Sequence, residues 1–190
     1  GIVDYQGVPK YTDAAFKLKI PTAKAGTFSL FGIGGRSGIS QKEESEAGDT
    51  LFATAEYGSR MGVAGLTHTL LLGANNFLYT TLSMSGNGSG VDYHESPAPG
   101  ESPLVLRHEN DMARSTMRAT STLNTRINAN HKLRTGVIVS ADRFRIYSNS
   151  YDYENARMEK TLDQSGGATT LQAFTSWKWR WNEQWSLTSG

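Results

Sequence analysis

The sequence contains no cysteine, which excludes disulfide staples and thiolate metal sites. Long hydrophobic runs are missing as well. Its wholly apolar stretches are as short as Leu70-Leu71-Leu72, against the roughly 20 residues that a membrane-spanning helix needs. Neither sign of charge prevails: 19 Lys and Arg face 18 Asp and Glu, a net charge of +1. The basic residues are scattered, so nothing points to nucleic acid as a partner. Hydrophobic residues make up 37%, a low share for a packed globular core. That scarcity leaves one membrane class open, because a barrel strand shows lipid only its alternate residues. A start methionine and a signal peptide are also lacking at Gly1, so the chain reads as processed or cut.

What is present favours strands. Twenty glycines with abundant Ser, Thr and Asn suit turns and extended segments. Residues 112–147 read as one long hairpin with a short turn at Asn128-Ala129-Asn130-His131. On its first arm Arg114, Thr116, Arg118, Thr120, Thr122, Asn124 and Arg126 share one face. Ala113, Ser115, Met117, Ala119, Ser121, Leu123, Thr125 and Ile127 share the other. The return arm repeats the division, with Leu133, Thr135, Val137, Val139 and Ala141 set against Lys132, Arg134, Gly136, Ile138, Ser140 and Asp142. Each arm exceeds the about 5–6 residues of an ordinary strand and reaches the about 9–11 that cross a bilayer.

Further strands are expected at 11–20, 27–36, 51–72, 77–85 and 169–181, and a last one begins at Trp185. In 27–36 the glycines Gly32, Gly34 and Gly35 blur the alternation of faces. Short turns start near positions 21, 73, 128 and 182, at intervals of 52 to 55 residues. One long polar loop is expected between each pair, at 37–49, 86–111 and 148–168. This alternation puts every short connection at one end of the sheet and every long one at the other, the asymmetry of outer-membrane barrels. The expected fold is all-β, an antiparallel up-and-down meander of about eight strands forming part of a transmembrane barrel. The end of the chain, Leu187-Thr188-Ser189-Gly190, lacks the terminal aromatic of a complete small barrel, so residues 1–190 read as one partial segment without a plug domain.

Alternation alone does not say which face is wet. A soluble β-barrel or sandwich that binds a small ligand or a protein, and a small complete outer-membrane barrel, remain as alternatives. Arg114, Arg118, Arg134 and Lys178 mark a lumen-facing wall, since such charges cost about 2–4 kcal/mol each against lipid at mid-depth. Trp177, Trp179, Trp181 and Trp185 bracket a short turn, where an interfacial aromatic girdle belongs. Tyr147, Tyr151 and Tyr153 fall in the third expected loop and are the candidates for stacking on a ligand.

Catalytic signals are missing. The run Gly32-Ile33-Gly34-Gly35-Arg36-Ser37 lacks the third glycine of the dinucleotide fingerprint, and no helix follows it. His68, His94, His108 and His131 have no metal-ligand spacing and read as solvated or turn residues. Acidic groups at 43–49 and 152–159 read as solvated loop faces rather than cation sites. Asp142 is placed to pair with Arg114 or Arg118 across the hairpin. No nucleophile has a base, no cofactor is expected, and an enzyme is not.

Two stretches, KLKIPTAKAGTFSLFGIGGRS at 17–37 and GLTHTLLLGANNFLYTTLSMSG at 65–86, resemble barrel segments of TonB-dependent outer-membrane receptors of the Bacteroidota type. The resemblance implies a location in the outer membrane, in contact with its lipid. It further implies import of a scarce small-molecule or oligomeric ligand, driven by TonB through a plug segment that this sequence does not show. Such barrels have about 22 strands, so eight would form about a third of one.

Overall fold

The computed structural model describes residues 7–44, 51–98 and 103–190. They form one antiparallel sheet of eight strands in sequence order. The strands are β1 (Lys10–Thr22), β2 (Gly26–Glu44), β3 (Leu51–Leu71), β4 (Asn76–Glu95), β5 (Val105–Arg126), β6 (His131–Asp152), β7 (Arg157–Arg180) and β8 (Ser186–Ser189). Every strand pairs with the next one in the chain, as the up-and-down expectation required.

The short turns are built from local chemistry. The Asn128 side-chain carbonyl accepts the backbone N–H groups of Asn130 and His131, both at 2.9 Å. Asn182 does the same for Gln184 and Trp185 at 2.9 and 2.8 Å. An Asx side chain can close a turn with its own carbonyl in this way, which fixes the register of the strands that follow. At the β1–β2 turn Gly26 takes φ of +83° and lies against the Thr69 carbonyl, where a Cβ would collide.

The long connections differ from expectation. β2 runs to Glu44, β4 through the glycine-rich 86–90 stretch to Glu95, and β5 begins already at Val105. The third expected loop shrinks to the four residues 153–156 between β6 and β7. Beyond the apolar region both faces of these strands are polar, so no period-2 signal marks them, yet their backbone pairing continues. Register shifts at Glu43/Glu44, Tyr93/His94 and Ser148/Asn149 all lie at this far end. Glu46, Asp49 and Pro99, assigned to the expected loops, fall outside the described residues.

The sheet has no apolar core among the described residues. Ala53 is the one hydrophobic residue there that counts as buried, at 4% exposure. Leu123, Val137, Leu82 and Leu171 stay open, the last two at 61% and 76%. A soluble module would have to cover these side chains with a second layer, and none is among the described residues.

Candidate functional site: two faces of one barrel wall

Register pairing carries the two faces of the central hairpin across the whole sheet. One cross-strand row joins Leu18, Leu30, Leu66, Leu82, Ala119, Val139 and Leu171. The next joins Phe16, Gly32, Ala64, Met84, Met117, Ala141 and Thr169. On this face Asp, Glu, Lys and Arg are absent from 62–70 in β3, 113–123 in β5, 133–141 in β6 and 169–177 in β7. Those lengths match the about 9–11 residues that a tilted strand needs to cross hydrocarbon.

The opposite face carries the charge. Arg114 Nη2 lies 3.1 Å from Asp142 Oδ1, and the Thr116 hydroxyl donates to the same oxygen at 2.6 Å. Arg118 Nε donates to Ser140 Oγ at 3.0 Å. The carboxylate thus bridges β5 and β6 between two guanidinium-bearing positions, as its cross-strand placement anticipated. Arg134 rests 5.6 Å from the Phe174 ring, and Lys178 stands beside Lys132 and Arg126 in one row at the short-turn end. Thr67, Thr122 and Ser140, all buried, sit on this charged face. Buried side chains gather on it, as they do on the inner side of a curved wall.

At the short-turn end the tryptophans form a stack. Trp177 and Trp179 lie on the apolar face at 6.0 Å, and Trp181 follows at 4.7 Å from Trp179. His131 joins them at 5.4 Å from Trp177 and 5.8 Å from Trp179, and pairs its Nδ1 with Trp177 Nε1 at 3.2 Å. Trp185 stands exposed in the turn. Two further histidines have partners of their own. His68 stacks on Phe28 at 4.3 Å and reaches the Ala25 carbonyl at 2.6 Å, while His108 Nδ1 meets Ser150 Oγ at 3.0 Å. The signal for His131 was its cross-strand position opposite Trp179, readable only once register is known.

The three tyrosines do not share one open platform. Tyr151 and Tyr153 meet edge to face at 5.2 Å, with the Arg107 guanidinium 4.1 and 5.1 Å from their rings. Glu95 closes the group, 3.6 Å from Arg107 Nε and accepting from the Tyr153 hydroxyl at 3.2 Å. Tyr147 lies apart on β6, 5.6 Å from Arg145 and bonded to Asn149. Nothing local in the sequence ties Arg107 to tyrosines more than 40 residues away. In the acidic 152–159 stretch, Asp152 closes a turn through Glu154 and Asn155, and Arg157 pairs with Glu159 at 2.6 Å.

A one-layer meander with an uncovered apolar band on one face and a charged wall on the other has the fold of a barrel segment. It superposes on the crystal structure of the ferric-catecholate import receptor Fiu from E. coli K12, open form, with a TM-score of 0.55 at 10% identity. The match covers 93% of this chain and 34% of that one, so the chain spans about a third of the length of the receptor it resembles. No protein-family model and no curated protein matches the chain.

Proposed function

We propose that the chain is a stretch of barrel wall from a TonB-dependent outer-membrane receptor, and that the whole receptor imports a scarce nutrient or siderophore. One observation carries this reading: a charge-free band of exposed apolar side chains backs directly onto a face bearing Arg114, Arg118, Arg134 and Lys178. Lipid suits the first face and a watered lumen the second. Eight strands out of about 22 would be close to the 34% of Fiu that the match covers.

In this reading the Trp177–Trp181 stack with Trp185 is the interfacial girdle on the short-turn, periplasmic side. The strand extensions and their turns stand outside the membrane and meet ligand first. Tyr153, exposed at 70%, keeps a ring edge for a ring-bearing or sugar ligand, with Tyr151 behind it and Tyr147 lower on the wall. Replacing all three tyrosines in the intact receptor should weaken ligand binding, and unchanged affinity would remove them from the ligand path. TonB would act through a plug segment, and no residue here is assigned to that contact. The wall is inferred to scaffold and select rather than to catalyse.

Residues 1–190 contain no cysteine, so once thiols elsewhere in the receptor are replaced the two faces can be tested directly. Single cysteines at Thr116, Arg118 and Thr120 in the membrane-embedded receptor should react with a water-borne thiol reagent, and those at Met117, Ala119 and Ser121 should not. The reverse pattern, or equal labelling of both sets, would overturn the barrel-wall reading.

A further inference from the structure

The lipid-side band ends, on the side away from the short turns, in a cross-strand pair of arginines. Arg36 on β2 and Arg60 on β3 are register partners on the apolar face, both exposed. Like charges set directly opposite repel and destabilise a strand pair. Among the described residues Arg36 has no ion-pair partner, and the nearest carboxylate to Arg60 is Asp111, at 3.9 Å. Arg60 leans over Gly88, whose missing side chain leaves it that space.

Directly below this pair lies a shallow groove of about 560 Å³ on the same face. Gly34, Gly62 and Ala64 on two adjacent strands line its open part, the Phe16 ring lies over Gly32 and closes one side, and Met84 stands at the other. Gly34 and Gly62 strip side chains from neighbouring positions, so the groove is apolar. Register sets Arg36 and Arg60 in the next row above it, with Glu56, Asp92, Glu109 and Asp111 farther along the same depression. An extended hydrocarbon chain fits the lower part, and a phosphate bridging both guanidiniums would turn their repulsion into two charge-assisted contacts.

We propose that Arg36, Arg60 and this groove seat a phosphorylated lipid of the outer leaflet, its phosphate held by the arginine pair and an acyl chain lying along the glycine floor. The proposal rests on the lipid-facing reading of the apolar face. It adds a specific annular lipid to a wall otherwise bathed in lipid without preference. The occupant is a lipid because the charged and apolar halves are continuous; a free anion would use only the upper one.

The test uses the intact receptor in phosphatidylcholine vesicles doped with bisphosphorylated lipid A as the probe. Replacement of both arginines (R36Q/R60Q) should weaken lipid A binding about tenfold or more, near the gain expected from two basic groups at an anionic surface. The lysine pair R36K/R60K should recover part of it, since charge is kept and the planar fork is lost. A separate Leu82→Trp variant reports the face itself through quenching by brominated phosphatidylcholine. Unchanged lipid A affinity in R36Q/R60Q, with quenching intact, overturns the lipid seat and leaves the barrel wall standing. Failure of quenching at Leu82→Trp overturns both. Equal displacement of lipid A by inorganic phosphate would reduce the site to a bare anion clamp and also overturn the seat.

Discussion

Arg107 shows how much one side chain can organise at the outer end of this sheet. Its side chain is only 11% exposed and spans the Tyr151 and Tyr153 rings, while Glu95 balances its charge. Its Nε is buried without a hydrogen bond, so the ring faces and the carboxylate's charge have to offset its desolvation. Arg107→Ala should therefore cost about 1–2 kcal/mol locally. The expected readout is faster proteolytic nicking at 153–156 with the paired strands unaffected. Unchanged nicking would mean that the rings hold the turn by themselves.

Asp152 makes a pH-dependent counterpart in the same turn. The Asn155 side-chain amide, then the backbone N–H groups of Asn155 and Glu154, hold its carboxyl below the ordinary carboxylate value. The charged form is thus favoured in the folded turn. Its contribution is complete above the unfolded value and fades as pH falls through the lowered folded one, below about pH 4. Hydrogen exchange at Glu154 and Asn155 should accelerate as acid is added through that window. In Asp152→Ala the exchange should already be fast at neutral pH and indifferent to acid.

Strands were legible where they were two-faced. In β5, β6 and β7 the apolar alternation ran along the stretch that has one oily side, so both hairpin arms and their face assignments could be read directly. Where both sides are polar the signal vanished. The polar composition of residues 86–95 and 148–152 predicts loop, although they pair with their neighbours through one register shift each. Glycine in the 86–90 run misled for a related reason: it depresses strand propensity, yet in β4 it gives room to Arg60. The Trp–His stack and the Arg36–Arg60 pair were invisible for another cause. Both depend on register between strands, which no single strand encodes. The face assignment makes a sharp prediction within one element. Leu82→Arg in β4 should destabilise the embedded receptor by about 2–4 kcal/mol, as for a cation facing mid-membrane lipid. Its neighbour Ser83→Arg, pointing to the charged wall beside Arg118, should cost within about 1 kcal/mol by the same measure. Urea unfolding of the two variants in lipid compares them; equal costs would sink the assignment.

The sheet taken whole has an unusual balance of forces. Its strands are held laterally by backbone pairing along 13 to 24 residues in β1 to β7, while almost no apolar side chain is buried by another layer. In water such a sheet would lose on two counts. The exposed band of Leu, Met, Val and Trp would drive association, and the outer edge of β1 would offer unpaired N–H and C=O groups to any other strand. In a bilayer the first problem disappears and the second becomes worse, because hydrocarbon gives an unpaired edge no partner at all. Both problems are solved together only when further strands close the cylinder. Residues 1–190 produced alone should therefore remain aggregated in aqueous buffer. In detergent they should regain strand signal by circular dichroism without the heat-resistant compact band on a gel that is expected of a closed barrel. A monodisperse aqueous monomer with fixed near-ultraviolet tryptophan signals would show that the apolar face finds cover within the chain itself, and the soluble binding module would then replace the barrel wall.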